Sequence, residues 1–427
     1  MAWVVLGQIL AFAGSFVGVK VLINIMGPQT YGQLALGITV AGILNLFVYG
    51  PIANVVARYF VIYREKSQLN VFFRVLKAAH KIFAAIVSIS CVCAGAIIYW
   101  LIGYEWAMIV IIASLFGLIS GINLSYQSLQ SAIRQRKVVA IHQSIDVWSR
   151  IVLSVAMLYL FGNSGYIALL GYLFGTVVVT ASQSKYALGD PRIRAFLISS
   201  SKRKQTDCET VREFCQYALP FVLWAGIAFG SIYGDRWIIQ YLFGAREVGI
   251  YAALHQIACS PVSLLVGMIN QLSLPIIYEY AGDMISVEQS MGSRKSLNQV
   301  VVASGIILFG VTLVAYVFSE FIVRMFTNIS LLEYHNMLWI ITLGASLFQL
   351  GQILTVKGFY HNQPQVYLWP KIIQAVTFVV IALLLGGSLG VIGIPISFCI
   401  SAALYLLAVI YVNNSLEMLF EMKVKHT

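Results

Sequence analysis

The chain is organised as long apolar segments separated by polar connections. A helix rises about 1.5 Å per residue, so about 20 apolar residues are needed to cross a hydrocarbon layer of roughly 30 Å. Twelve such segments can be read, at 2–26, 34–61, 80–103, 106–129, 139–161, 165–187, 214–243, 247–279, 298–323, 336–358, 366–387 and 390–412. They are continuously apolar and do not alternate at every second residue, which predicts membrane-spanning helices rather than barrel strands.

Composition agrees with this pattern. Hydrophobic residues make up 60% of the 427 positions and charged residues only 10%. A soluble domain carries about 25% charged residues to cover its surface. The sequence therefore predicts an all-α, multi-pass membrane protein with about twelve transmembrane helices.

The basic residues fall mainly in alternate connections. Most of the 27 Lys and Arg residues lie in the even-numbered connections and the tail, whereas the odd-numbered connections contain only Arg246 and Arg324. Cytoplasmic loops retain positive charge, so both termini are predicted to be cytoplasmic. The net charge of +11 is thereby explained by topology, and no nucleic-acid partner is expected.

The longest polar connection divides the chain into two halves. We predict a six-helix lobe at 1–187, a basic cytoplasmic linker at 188–213, a second six-helix lobe at 214–412 and a cytoplasmic tail at 413–427. An offset of 217 residues superposes small residues of the two halves, pairing Gly27 with Gly244 and Gly50 with Gly267. Two halves with an even number of spans share one orientation, which predicts parallel repeats related by an axis along the membrane normal.

A few ionisable residues lie inside the predicted spans, where each charge costs about 2.5–3.5 kcal/mol on insertion scales. One hypothesis is a cationic lumen that attracts an anionic substrate; its residues would be Lys20, Arg58, Arg150 and Arg236. The alternative is that Arg58 extends to the interface and that Arg150 pairs with Asp146 four residues earlier. Candidates for ion coupling are Asp146, Asp235, Glu279 and His255.

Three short motifs carry a family resemblance. They are IMGPQTYGQLAL at 25–36, GPIANVVARYF at 50–60 and GDRWIIQYLFGAREVGIYAA at 234–253. Together with the layout of the spans, they resemble the polysaccharide transporters, or O-antigen flippases, of the multidrug/oligosaccharidyl-lipid/polysaccharide (MOP) exporter superfamily. Arg58, Asp235 and Arg236 match the motif residues of that family.

The resemblance implies a flippase of the bacterial inner membrane with two lobes and alternating access. Its expected cargo is an undecaprenyl-pyrophosphate-linked oligosaccharide, such as an O-antigen unit, moved from the cytoplasmic to the periplasmic leaflet. The lipid bilayer is an expected partner, and a polysaccharide polymerase and a chain-length regulator are further candidates. No cofactor is expected. Side chains that could contact sugars are Trp148, Trp224, Gln256 and Asn270, for which helix packing is the alternative role.

Two other functions stay open at this point. A cation-coupled multidrug exporter of the same superfamily would need acids for cationic drugs, yet the first span contains Lys20 and no acid. A membrane glycosyltransferase or polymerase would need acid, base or metal-binding groups near the outer face, where the connections are short. We therefore predict a transporter and not an enzyme. The chain contains no P-loop motif for direct use of ATP.

Overall fold

A computed structural model of the chain describes residues 2–190, 207–281, 287–361 and 363–425. Throughout these ranges the regular secondary structure is helical, without strands. The predicted all-α class is confirmed. Most of the predicted linker at 188–213 lies outside the described residues.

By contacts between residues, the chain separates into two compact units, Met1–Phe229 and Gly230–Thr427. The domain bounds predicted from sequence stay a prediction. The first unit contains α1 (Ala2–Leu44), α2 (Gly50–Glu65), α3 (Leu69–Leu101), α4 (Tyr104–Ala132), α5 (Arg136–Phe161), α6 (Gly165–Gly189) and most of α7 (Asp207–Ile232). A five-residue π-helix, Asn45–Tyr49, joins α1 to α2.

The long helix α1 is two helices that meet at a kink. Gly27 has φ 75° and ψ 167°, a backbone conformation that side chains with a Cβ rarely adopt. Pro28 follows it, lacks a backbone N–H and disfavours the α conformation in the preceding residue. The kink therefore divides the apolar stretch Leu6–Glu65 into two membrane spans.

The second unit contains α8 (Gly234–Leu242), α9 (Ala245–Ala281), α10 (Val287–Val317), α11 (Ser319–Phe326), α12 (Asn336–Leu354), α13 (Val356–Tyr360), α14 (Leu368–Leu389) and α15 (Gly393–Lys425). The apolar stretch Pro364–Leu416 holds both α14 and α15, with a turn at Gly390 between them. Ten apolar helical stretches are long enough to cross a membrane in the described part of the chain. Since Leu6–Glu65 and Pro364–Leu416 each hold two spans, the ten stretches correspond to the twelve predicted spans.

Small residues let the helices of the first unit approach closely. A Cβ placed on Gly175 of α6 would lie 2.8 Å from the backbone nitrogen of Arg150 on α5, and one on Gly117 of α4 would lie 2.9 Å from the Cα of Ala41. Close backbone approach is how membrane helices pack in the absence of a strong hydrophobic driving force. The α5–α6 contact fixes the backbone around Arg150.

The second unit is packed around α12 and α15. Gly344 and Gly351 of α12 face the rings of Phe398 and Tyr405 on α15, each at 2.6 Å from an ideal Cβ. Helix α9 packs on both α10 and α12, and α8 packs on α9 and α14. The short helix α8 is thereby held against the start of α9, where the candidate residues of this unit lie.

The two glycines paired by the offset of 217 have the same unusual backbone conformation. Gly27 has φ 75° and Gly244 has φ 95°, and each lies at the turn before a helix that opens the next span. Gly103, Gly162 and Gly390 also have positive φ, so the repeat stays a prediction.

Candidate functional site

In the first unit, the structure brings together Asp146, Arg150 and Thr176. Asp146 and Arg150 lie one turn apart on α5 and form an ion pair with a bidentate geometry, Arg150 Nε donating to Asp146 Oδ1 over 3.2 Å. The same Nε lies 2.9 Å from Thr176 Oγ1 on α6, and the Thr176 hydroxyl donates to Asp146 Oδ1 over 3.1 Å. The Arg150 guanidinium also lies 5.0 Å above the ring of Phe116 on α4.

This cluster is compact, and the negative charge of Asp146 balances the positive charge of Arg150. The side chains of Arg150 and Asp146 are 24% and 10% exposed. His142, one turn earlier, is directed elsewhere, its ring nitrogens lying 2.9 Å from the Val138 carbonyl oxygen and 3.2 Å from Ser182 Oγ. The Asp146–Arg150 pair predicted from spacing is confirmed, and it joins α5 to α6 through Thr176.

In the second unit, Asp235 and His255 face each other across the α8–α9 turn. Asp235 is buried, and its Oδ2 lies 3.9 Å from His255 Nε2. The other oxygen, Oδ1, accepts a hydrogen bond from the backbone amide of Arg236 over 2.7 Å. Cys259 Sγ lies 3.4 Å from the same His255 nitrogen. A carboxylate beside an imidazole is an arrangement that can take up and release a proton.

Arg236 follows Asp235, but the two side chains point in different directions, as adjacent helical residues do. Its Nε atom is buried and has no hydrogen-bond partner among the described residues; the same holds for Oε1 of Gln240, one turn later. Burying a charged hydrogen-bond donor without an acceptor costs free energy, and a bound acceptor removes that cost. Arg236 therefore retains the capacity to bind an anionic group.

Lys20 lies on the first limb of α1, seven residues before the kink at Gly27. Its side chain is exposed on the surface of the first unit. Three further candidates from the sequence differ in their exposure. Trp224 and Asn270 are half-buried, and Glu279 is exposed near the end of α9.

Arg58 lies in an aromatic contact between α2 and α7. Its guanidinium is 4.9 Å from the centre of the Tyr217 ring, and the Tyr59 ring lies 5.5 Å from Tyr217. One turn further along α2, the buried Tyr63 hydroxyl donates to Glu213 Oε2 over 3.0 Å. We refer to these residues as the α2–α7 contact. In it, Arg58 stabilises packing at the end of a predicted span.

Two of the proposed sugar contacts are engaged within their own unit. The indole N–H of Trp148 donates to the Leu10 carbonyl oxygen over 3.1 Å, so this ring packs α5 against α1. Gln256 Nε2 donates to Ser260 Oγ over 2.9 Å along α9. Of these two side chains, Trp148 contacts a neighbouring helix and Gln256 contacts a residue of its own helix.

Several residues of these clusters were not found by sequence reasoning. Thr176 and Phe116 are uncharged residues distant in sequence from their partners, and Cys259 is an uncharged residue one turn after His255 on α9. Glu213 lies at the end of the basic connection, where charge was read as a topological signal only. A signal did exist for the Asp235–His255 pair, because these residues flank Gly244 at nearly equal distances and a hairpin there places them opposite each other.

Comparison with solved structures defines the class of fold to which this protein belongs. Over 98% of this chain and 88% of the other, the fold matches "Lipid II flippase MurJ, inward closed conformation", with 12% identity and a TM-score of 0.70. It also matches an inward-facing multidrug resistance MATE transporter of the MOP superfamily over 99% and 96% of the two chains, with 15% identity and a TM-score of 0.69. The outward-facing form of such a transporter matches over 100% and 96%, with 14% identity and a TM-score of 0.67.

The protein is thus a multi-pass membrane protein with the fold of MOP-superfamily transporters. The model of the family described as "Polysaccharide biosynthesis protein" matches residues 1–281, and the chain belongs to that family. This confirms the resemblance stated from the motifs. No curated protein sequence matches the chain. The structural neighbours are transporters and a flippase, in agreement with the prediction of a non-enzymatic protein.

Proposed function

We propose that this protein moves a polyprenyl-pyrophosphate-linked oligosaccharide from the cytoplasmic to the outer leaflet of a bacterial inner membrane. The observation that carries the proposal is the combination of membership in a polysaccharide biosynthesis family with a transporter fold. Such cargo has a polar head that cannot cross hydrocarbon unaided. An O-antigen unit is the proposed example, and a polymerase and a chain-length regulator are the proposed partners.

Lys20 and Arg236 are the proposed contacts for the pyrophosphate. Lys20 is exposed, and Arg236 has a buried guanidinium nitrogen without a hydrogen-bond partner in the described ranges. Arg150 is assigned a structural role instead, since Asp146 already compensates its charge. Arg58 is likewise assigned to the α2–α7 contact.

Coupling to a proton gradient is assigned to Asp235 and His255. Asp146 is compensated by Arg150, and Glu279 is exposed at the end of α9, so neither is suited to gate a buried proton step. Asp235 is buried, His255 is half-buried, and the pair lies beside Arg236, the proposed substrate contact. Protonation there would alter the charge next to the bound pyrophosphate.

The test is reconstitution of the purified full chain in liposomes. A polyprenyl-pyrophosphate oligosaccharide labelled with a fluorophore is added, and its leaflet is read from quenching by a reductant that does not cross the membrane. Substitutions Lys20→Gln and Arg236→Gln should each slow movement roughly tenfold, since a charge-assisted hydrogen bond contributes about 1.5–3 kcal/mol. Lys295→Gln, an exposed lysine on α10, is the matched control and should retain the full rate. The absence of protein-dependent movement, with or without an ion gradient, would refute the proposal.

A multidrug exporter is the second candidate, because MATE transporters share the fold at a similar TM-score. The two functions separate in the same liposomes. Export of a cationic dye without movement of the lipid-linked oligosaccharide would favour the exporter. Lys20 in the first span argues against cationic cargo, because like charges repel in a low-dielectric site.

A further inference from the structure

An apolar cavity of about 400 Å³ lies in the first unit between α3, α4 and the end of α6. Its apolar lining comes from the start of α3, the last part of α4 and the end of α6: Phe73, Leu76, Ile122, Leu129 and Leu188. The cavity is separate from the Asp146–Arg150 cluster and from the residues proposed to bind the pyrophosphate. Its walls are suited to a hydrocarbon chain, which requires no hydrogen-bond partner.

Two polar side chains that line the cavity, His80 and Ser125, already have hydrogen-bond partners. His80 Nδ1 lies 2.9 Å from the Leu76 carbonyl oxygen, and its Nε2 lies 3.1 Å from Ser125 Oγ. The Ser125 hydroxyl in turn contacts the Gly121 carbonyl oxygen at 3.2 Å. Since both ring nitrogens have partners, the histidine presents mainly ring carbon to the cavity, and a polar ligand would find few groups to bind there.

The rim of the cavity is basic. Lys77 is both exposed and part of the lining. At 100° per residue, Arg74, Lys77 and Lys81 fall within an arc of about 60° on α3, and all three are exposed. These residues belong to the connection predicted to be cytoplasmic, so the cavity lies near the cytoplasmic headgroup region of the membrane. Anionic lipids of that leaflet attract such basic groups.

We propose that this cavity binds an anionic phospholipid of the cytoplasmic leaflet, with one acyl chain between α3 and α4 and its phosphate beside Lys77. An apolar cavity with a basic rim matches an amphiphile that combines a hydrocarbon chain with net negative charge. None of its lining residues is among those proposed to contact the cargo, and its occupancy is measurable without any transport assay.

The test measures retained lipid. The purified full chain is equilibrated in detergent micelles containing equal amounts of dioleoyl phosphatidylglycerol and dioleoyl phosphatidylcholine, separated by gel filtration, and its bound lipids are quantified by mass spectrometry. Lys77→Gln should lower retained phosphatidylglycerol about five-fold, the effect expected for one cation near an anionic lipid. Lys295→Gln, which removes the same charge from an exposed site in the second unit, should have no effect.

A second pair of variants tests the acyl-chain part of the cavity. Leu188→Trp fills the space from its partly exposed rim and should displace the lipid. Ile82 lies on the opposite face of α3 and is 58% exposed. Ile82→Trp places the same ring there and should leave the retained phosphatidylglycerol unchanged. All variants must elute as the wild-type peak. Equal retention by Lys77→Gln and Lys295→Gln overturns the proposal. It is also overturned if an equal amount of undecaprenyl phosphate displaces phosphatidylglycerol, which would make a polyprenyl chain the occupant.

Discussion

Breaking the Asp146–Arg150 pair should destabilise the first unit, and a second substitution should restore part of the loss. Truncating one partner of a fully buried ion pair costs about 3–5 kcal/mol, because the remaining charge has no counterion. Arg150 is 24% exposed and keeps its contact with Thr176. The expected cost of Asp146→Ala is therefore at the lower end, about 2–3 kcal/mol.

The matched substitution is Arg150→Met, which keeps much of the side-chain length and removes the charge. Alone, Arg150→Met leaves the buried Asp146 carboxylate with only the Thr176 hydroxyl as a donor. Its cost should also be about 2–3 kcal/mol. In the double variant neither charge is left unpaired. Its loss should be smaller than the sum of the two single losses by about 2 kcal/mol.

The measurement is the apparent Tm of detergent-solubilised protein at one fixed scan rate. A unit of about this size loses roughly 2–4 °C per kcal/mol, so each single variant should fall by roughly 4–12 °C. Additive losses in the double variant would refute the pairing. Translocation provides an independent readout: if Arg150 bound the cargo directly, the double variant would stay inactive despite its recovered stability. We expect it to retain translocation.

Three further outcomes are expected. Gly244→Ala should cost about 1–2 kcal/mol, because φ is 95° there. The control is Gly267→Ala, where an added Cβ also has no neighbour within 4 Å but the backbone is helical. It should be neutral or slightly stabilising in the same Tm assay. Tyr63→Phe should cost about 1–2 kcal/mol by removing the hydroxyl that donates to Glu213. Tyr59→Phe should cost less, and equal losses would argue against the hydrogen bond. Asp235→Asn should abolish acceleration by an imposed pH gradient in liposomes, and an unchanged response to the gradient would exclude that carboxylate from coupling.

The helices were predictable from sequence because continuous apolarity over about 20 residues is a local property. The breaks within them were not. The predicted span at 214–243 is divided at Tyr233 into α7 and α8, and the predicted span at 298–323 is divided near Phe318 into α10 and α11. Polar and charged residues follow each break, at 234–236 in the first span and at 319–320 in the second, but the apolar residues that resume after them extend the predicted spans across the breaks. A backbone break depends on the conformation of one or two residues.

The candidate clusters show the same division between local and distant information. The spacing of four residues was enough to predict the Asp146–Arg150 pair. Thr176 belongs to the same cluster only because glycines on α6 let it approach α5, and its sequence separation of 26 residues concealed that. Net charge could not distinguish the roles of Arg150 and Arg236 either. The distinction depends on whether a carboxylate lies within reach of each guanidinium.

The predicted repeat places the two proposed substrate cations at neighbouring positions. Lys20 precedes Gly27 by seven residues and Arg236 precedes Gly244 by eight, and both glycines have positive φ at a turn that begins the next helix. Equivalent turns thus place one cation on the preceding helix of each repeat. Under the offset of 217 Lys20 corresponds to Trp237, so Arg236 lies one residue from the equivalent position. On this argument Lys20→Gln and Arg236→Gln affect the same step, and combining them should slow translocation by more than either substitution alone.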